Sequence, residues 1–185
     1  MVTIIIDHPW HGSFNFAVLK SITDSLDGQG REYNVIDLCA DGFDPRMGSG
    51  SLALYSRGET SDPLVEKYVS VLKRTSEIVF IFPIWWAMMP AELKGFFDRV
   101  FLKGKVVDYG ADGRMIPLLN IDKTLVFTTS EAPSAMYAPF FNDYLKPYVF
   151  GSVGMRNMQW VNCEGTSHGS VANREAFLSK VTALV

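Results

Sequence analysis

The stretch Ile78-Val79-Phe80-Ile81-Phe82 decides the fold, because all five of its residues are apolar. A strand with apolar side chains on both faces is typical of a parallel sheet that helices cover on both sides. After the loop of residues 83–90, Pro90 opens a helix in which apolar residues recur at helical spacing, namely Leu93, Phe96, Phe97, Val100 and Phe101. We therefore predict a central strand followed by a helix that packs on the sheet.

The sequence before this stretch repeats the pattern of strand and helix. Residues 3–6 form a short β-branched strand, a helix follows the loop of residues 8–13, and residues 33–36 form a second strand. Residues 37–61 lose periodicity and predict a long loop. Asp62 and Pro63 then begin the next helix as N-cap and first helical residue.

The sequence after the central stretch continues in the same way. It predicts a strand at residues 124–129, a helix near residues 135–149, a strand near residues 159–161 and a terminal helix at about residues 171–184. Regular alternation of strands and helices predicts an α/β fold with right-handed crossovers. We expect one domain over residues 1–185, a flavodoxin-like three-layer sandwich whose five parallel strands lie in the order 2-1-3-4-5.

Composition and charge narrow the class of protein. The chain of 185 residues is 48% hydrophobic and carries a net charge of −3 with scattered basic residues, so we expect no nucleic-acid partner. Cys39 and Cys163 form no Cys-x-x-Cys motif, and His8 and His11 lack a third ligand nearby, so we expect no metal and a reducing, cytoplasmic setting. The longest uncharged run, residues 78–91, falls short of the ~20 residues of a membrane span.

The fold predicts where a ligand binds. In open α/β sheets the site lies beyond the carboxyl ends of the strands, here after the strands that begin at Thr3, Ile78 and Thr124. The first of these loops delivers Ser13 and Asn15 to the start of a helix, where free N–H groups and the helix dipole favour a phosphate. The alternative is that Ser13 only caps the helix.

The other two loops suggest a flat, polar-edged ligand. Two tryptophans, Trp85 and Trp86, offer stacking surface, although they also suit the core or a subunit interface. The residues from Thr128 to Glu131 offer hydroxyls and N–H groups to the edge of a heterocycle, although they also suit a capping box.

Three segments carry a resemblance to a known family. They are His8-Pro9-x-x-Gly12-Ser13-Phe14-Asn15, the long segment of residues 82–101 (FPIWWAMMPAELKGFFDRVF) and Thr128-Thr129. With these segments the chain resembles the NAD(P)H:quinone oxidoreductase family of flavodoxin-fold proteins, in the short bacterial form that includes the ancillary reductases of potassium-efflux systems. The long segment is the most specific of the three.

The resemblance implies a role for each residue. It implies FMN rather than FAD, since no segment after the fifth strand-helix unit cradles an adenosine. Backbone N–H groups near Thr129 and Ser130 would offset negative charge on the flavin, and Glu131 would face solvent or a cationic partner. The implied cofactor-binding residues are His8, Ser13, Phe14, Asn15, Pro83, Ile84, Trp85, Trp86, Thr128, Thr129, Ser130 and Glu131, and the implied catalytic residues are Trp86, as the apolar wall of the substrate slot, and Tyr137.

The implied activity is transfer of a hydride from NAD(P)H through flavin N5 to a quinone-like acceptor by a ping-pong mechanism in a homodimer. The chain departs from the family pattern where Ser130 and Glu131 replace a pair of glycines, and where Asn142 stands near the position of an active-site histidine. Two alternatives remain at this stage, namely a flavodoxin-type electron carrier and a flavin-binding regulatory subunit with a membrane-transporter partner.

Overall fold

The chain forms seven strands, of which five make one parallel sheet and two make a separate hairpin. In the computed structural model, which describes residues 1–185, the strands are β1 (Val2–Ile6), β2 (Tyr33–Asp37), β3 (Glu77–Pro83), β4 (Val107–Tyr109), β5 (Met115–Pro117), β6 (Lys123–Thr129) and β7 (Met158–Cys163). The sheet order is β2-β1-β3-β6-β7, with every neighbouring pair parallel. Counted within the sheet alone, this is the predicted order 2-1-3-4-5, and the predicted flavodoxin-like α/β fold is confirmed.

Strand β3 lies in the middle of the sheet, as its apolar sequence predicts. Ile81 is level with Ile6 of β1 on one side and with Phe127 of β6 on the other. Residues 78–82 are each at most 1% exposed. Burial of apolar surface contributes roughly 25 cal/mol per Å², so this doubly covered strand is a major source of stability.

Helices cover both faces of the sheet. One face carries the first and last α-helices, and the other carries the third, the fourth and a long π-helix. None of the helices has the length and apolar character that a membrane crossing requires. The helices are α1 (Phe14–Gly28), α2 (Ser49–Tyr55), α3 (Pro63–Leu72), α4 (Ala91–Val100), a 3-10 turn (Ser134–Met136), the π-helix (Phe140–Phe150), α5 (Gly151–Val153) and α6 (Val171–Leu184).

Two helix starts follow the local sequence closely. The Leu64 N–H donates to Oδ1 of Asp62 at 2.9 Å, with Pro63 at the first helical position, as predicted for α3. The Asn173 N–H donates to Oγ of Ser170 at 3.1 Å and thereby caps α6. Such side-chain caps satisfy N–H groups that have no partner within the helix.

Three segments differ from the sequence-based prediction. The predicted loop of residues 37–61 contains α2, which has no buried residue and therefore no apolar periodicity to reveal it. The sequence also gives no indication of the hairpin of β4 and β5, because every residue of β5 is exposed. The single helix predicted near residues 135–149 is a 3-10 turn followed by a π-helix that contains Pro147, which has no N–H for a regular helix hydrogen bond.

The close approach of α4 to the loop before α2 depends on Gly95. A Cβ at this position would lie 2.3 Å from Cα of Pro45. We expect Gly95→Ala to lower the free energy of unfolding in urea by roughly 1–3 kcal/mol, because the loop must shift away from the helix. Gly28→Ala is the matched control, since a Cβ there meets no atom within 4 Å and alanine favours the helix by up to about 1 kcal/mol. Equal stabilisation by both substitutions would contradict the close packing.

Candidate functional site

A cavity of about 390 Å³ opens at the carboxyl edge of the sheet, where β1, β3 and β6 end. This is the edge predicted from the strand order. No lysine or arginine lines the cavity. The lining residues are His8, Trp10, Ser13, Phe14, Asn15, Pro83, Ile84, Trp85, Thr129, Ser130, Glu131, Thr166 and Ser167.

Ser13 has the position of a cap but does not act as one. It is the N-cap residue of α1, yet its side chain makes no capping hydrogen bond. Its hydroxyl is buried and has no hydrogen-bond partner at all. A buried hydroxyl without a partner costs free energy, and Thr124 in β6 has one as well, but only the Ser13 hydroxyl belongs to a residue that lines the cavity. An oxygen-rich ligand at the start of α1 would supply the missing partner.

A buried hydrogen bond joins the first loop to the third. The side-chain amide of Asn15 donates to Oγ1 of Thr129 at 3.1 Å, and these two residues are only 3% and 5% exposed. The bond connects the first turn of α1 to the last residue of β6. It therefore holds two walls of the cavity together.

The end of β1 is fixed by Asp7. Its Oδ2 accepts from the N–H of Leu93 in α4 at 2.7 Å, and its Oδ1 accepts from the Cys39 thiol at 3.4 Å. Burial raises the pKa of Asp7 to about 6. The neighbouring His8 has its pKa lowered by burial, and its Nδ1 accepts from the N–H of Trp10 at 3.0 Å. The first loop thus has a fixed position relative to α4.

The tryptophan loop is a tight turn. Trp85 and Met88 exchange two backbone hydrogen bonds of 3.0 Å each, with Trp86 and Ala87 at the corner at φ of 50° and 62°. The left-handed region is unfavourable for residues other than glycine, so the turn stores backbone strain. Trp85 lines the cavity, whereas Trp86 points away from the protein and is 99% exposed.

The two threonines of β6 face opposite sides of the sheet, because side chains alternate along a strand. Thr129 reaches the cavity. Thr128 is fully buried on the other side, where its hydroxyl donates to Oδ1 of Asn162 at 2.8 Å and accepts from Nε1 of Trp160 at 2.9 Å. The side chain of Thr128 is therefore committed to the core and does not line the cavity.

One of the backbone N–H groups after β6 is already hydrogen-bonded within the protein. The Ser130 N–H donates to the carbonyl of Cys163 at 2.9 Å and is not available to a ligand. The expected stabilisation of charge on a cofactor therefore stays a prediction for the neighbouring N–H groups of this loop and does not involve the Ser130 N–H. The Glu131 N–H makes no hydrogen bond within the protein and is a free donor at the cavity. Glu131 lines the cavity, and Oε2 of its carboxylate lies 3.0 Å from Nδ1 of His168.

The residues that line the cavity differ in part from the site residues predicted from the sequence. Of the predicted set, Trp86, Thr128 and Tyr137 lie outside the cavity lining, and Tyr137 packs against the larger core cluster. The sequence-based set omitted three lining residues, namely Trp10, Thr166 and Ser167. The last two follow β7, so the rule that ligands bind at carboxyl ends of strands would have found them if applied to that strand as well.

The cavity can bind an anionic group without cationic side chains. The N–H groups of Phe14 and Asn15 lie in the first turn of α1, where helices leave N–H groups without internal partners. The positive end of the helix dipole and the free hydroxyl of Ser13 lie at the same place. These residues fit a phosphate, with the apolar Ile84 and Trp85 further along the cavity.

Known proteins resemble this chain in sequence and in fold. The sequence profile of the family with the flavodoxin-like fold matches residues 1–184. NAD(P)H dehydrogenase (quinone) 1 of Cavia porcellus is 30% identical over an alignment of 152 positions that covers 73% of this chain and 54% of that protein. The chain thus spans about half the length of its mammalian relatives.

Two microbial proteins match over nearly their whole length. The FMN-dependent NADH:quinone oxidoreductase of Stenotrophomonas maltophilia is 24% identical, with 98% of this chain and 90% of that protein covered. The structure of the NAD(P)H:quinone oxidoreductase from Methanothermobacter marburgensis superposes with a TM-score of 0.83 at 26% identity, covering 98% of this chain and 92% of that one. These matches confirm the resemblance identified from the sequence.

The stability of the protein without ligand tests whether Ser13 is a ligand-binding or a capping residue. We expect Ser13→Ala to leave the free energy of unfolding within about 0.5 kcal/mol or to raise it, because the hydroxyl has no partner to lose. Ser170→Ala is the matched control and should cost about 1 kcal/mol, since Ser170 caps α6. Equal losses in the two variants, measured by urea unfolding, would show that Ser13 is a cap.

Proposed function

Because the chain belongs to the family of proteins with the flavodoxin-like fold, we propose that it binds FMN and is an NAD(P)H oxidoreductase that reduces quinones. The observation that carries the proposal is the unpartnered Ser13 hydroxyl at the start of α1, in a cavity at the point where the strand order reverses. The names of the relatives in Stenotrophomonas and Methanothermobacter support the cofactor and the reaction.

We assign the phosphate to Ser13 and the N–H groups of Phe14 and Asn15. The ring system would lie along Pro83, Ile84 and Trp85, whose side chains supply apolar and aromatic surface. Its polar edge would meet Thr129 and the free N–H of Glu131. The ring centroids of His8 and Trp85 are 5.9 Å apart, so His8 would close the side of the cavity between the first two loops.

The proposed reaction is NAD(P)H + H⁺ + quinone → NAD(P)⁺ + hydroquinone. A bound FMN would supply the chemistry, namely acceptance of a hydride equivalent at N5 and transfer of two electrons. Ser13, Asn15, Ile84, Trp85 and Thr129 would hold it, and we propose that one face of its ring would be open to the two substrates in turn. A single open face of the ring implies a ping-pong mechanism, because the two substrates must use it in turn. The two free cysteines support a cytoplasmic setting.

We propose that Trp86 forms the apolar wall of the substrate slot. Its side chain is almost fully exposed at the corner of a strained turn beside the cavity residue Trp85. Strained backbone persists only where the surrounding structure holds it in place, and it clusters at ligand-binding sites. An exposed tryptophan in that position is suited to contact a bound molecule. Tyr137, which lies outside the cavity, remains a prediction from the family resemblance.

Kinetics of purified protein test this function. The wild type should release FMN on heating and give parallel initial-rate plots with NADH and a quinone. Trp86→Ala should lower kcat/KM for both substrates roughly ten- to a hundredfold, while FMN affinity is retained, because one stacking wall is lost. Val35→Ala, on the exposed edge strand, is the control. An electron carrier would bind FMN but show no rapid reduction by NADH or NADPH, which would contradict the proposal.

We also propose a homodimer. A groove of about 680 Å³ lies next to the tryptophan turn and is lined almost entirely by apolar residues of α4, the hairpin and the π-helix. Its rim includes Met115, Tyr144 and Tyr148, which are 51%, 63% and 70% exposed. Contiguous apolar surface of this kind marks an interaction site. A second copy would cover the groove and bring its own surface to the open face of the cavity.

Light scattering tests the assembly. The wild type should have twice the mass of one 20.7 kDa chain, and the double variant Tyr144→Glu, Tyr148→Glu should have the mass of a single chain, because buried unpaired charges oppose association. Met136→Glu changes an equally exposed residue outside the groove and should remain dimeric. A wild-type protein that stays at 20.7 kDa at micromolar concentration would contradict the dimer.

A further inference from the structure

The loop after β7 forms one wall of the cavity, and the Glu131 carboxylate binds two of its residues. Oε1 of Glu131 accepts from the N–H of Ser167 at 2.7 Å and also from the Ser167 hydroxyl. Oε2 of the same carboxylate lies 3.0 Å from Nδ1 of His168. Glu131 thus binds two successive residues of a loop that is 36 positions further along the chain.

A second carboxylate makes the reverse connection. Oε1 of Glu164, in the loop after β7, accepts from the N–H of Ser134 in the loop after β6 at 2.6 Å. Between the two carboxylates, the Thr166 N–H donates to the carbonyl of Ser130 at 3.1 Å. The two loops therefore hold each other through a reciprocal pair of acids, which we call the carboxylate clamp, consisting of Glu131 with Ser167 and His168, and of Glu164 with Ser134.

Arg174 of α6 supports the clamp from the opposite side. Its guanidinium donates to the carbonyls of Thr166 and Gly169, each at 3.1 Å. The loop is consequently fixed from both ends, although its residues are largely exposed. Hydrogen bonds with one charged partner are worth about twice as much as neutral ones, so a loop held mainly by such bonds keeps its shape at the surface.

The clamp also fixes a charge at the cavity. Hydrogen bonds from Ser167 and His168 lower the pKa of Glu131 to about 2, so the carboxylate is charged at neutral pH. It is the only acidic side chain in the lining, and no lysine or arginine stands opposite it there. Its position next to the free Glu131 N–H places the negative charge on the wall we assign to the polar edge of the ring.

We propose that Glu131 is a positioning residue with two effects: it holds Ser167 and His168 so that Ser167 forms the outer wall of the cavity, and its negative charge lowers the reduction potential of a flavin bound there. This inference rests on the proposed function for the identity of the ligand. The wall itself is a property of the chain alone. A fixed negative charge beside the ring opposes the negative charge that reduction adds, which is how a protein tunes a flavin.

Three variants separate the two effects. Glu131→Ala removes both the acceptor and the charge. Glu131→Gln keeps a side-chain oxygen for the Ser167 N–H but removes the charge. Glu175→Ala is the control, because Glu175 is an exposed acid of α6 whose carboxylate makes no hydrogen bond or ion pair. Each variant is measured by amide hydrogen exchange at Ser167 without ligand, by titration with FMN, and by the midpoint potential of bound FMN.

The expected results differ between the variants. Glu131→Ala should lose protection of the Ser167 amide and raise the Kd for FMN about tenfold, the loss that one charge-assisted hydrogen bond commonly represents. Glu131→Gln should restore the protection and most of the affinity, yet shift the midpoint potential to a more positive value. Glu175→Ala should match the wild type in all three measurements.

Each measurement has a result that would contradict the proposed role of Glu131. Unchanged protection and FMN affinity in Glu131→Ala would show that Glu131 positions nothing. An unchanged midpoint potential in Glu131→Gln would show that its charge does not act on the flavin. If the wild type bound no FMN, the proposed function would fail, while hydrogen exchange would still decide whether Glu131 holds the loop.

Discussion

The cavity depends on one buried hydrogen bond, between the side chains of Asn15 and Thr129. The parallel sheet brings the ends of its strands to one edge, but it does not set the distance between the loops that follow them. This bond links α1 to β6 across 114 positions of sequence, and both residues are almost fully buried. Burial strengthens such a bond and makes its loss costly, so the first and third loops keep a fixed separation. Asp7 does the same for the first strand and α4.

The cavity that results has an unusual distribution of charge. The anion-binding end relies on N–H groups, a helix dipole and the Ser13 hydroxyl, all of them neutral. Another part of the lining carries the negative charge of Glu131. If FMN binds as proposed, its phosphate would be attracted to the start of α1 and repelled by Glu131, which would favour one orientation of the ligand.

The sequence predicts this fold because its clearest patterns are formed by residues that are buried in the structure. The apolar run of β3, the cap of α3 and the boundaries of α6 all agree with the structure. Helix α2 and the hairpin were missed because their exposed residues carry no periodic apolar pattern. At the site, ten residues were placed correctly in the cavity from loop position and family resemblance, whereas Thr128 was not, because a motif of two threonines does not say which of them faces the ligand. The contribution of the loop after β7 depends on contacts between Glu131 and Ser167 that no local pattern reveals.

In the proposed binding mode, the start of α1 receives the phosphate of FMN and the wall at Glu131 receives the polar edge of its ring. A crystal structure of the protein with FMN is the decisive measurement. We expect the phosphate within hydrogen-bond distance of Ser13 Oγ and of the N–H groups that begin α1, with the pyrimidine edge at the Glu131 N–H. FMN bound in the apolar groove between α4 and the π-helix, or in the cavity with its phosphate at Glu131, would show that this binding mode is wrong.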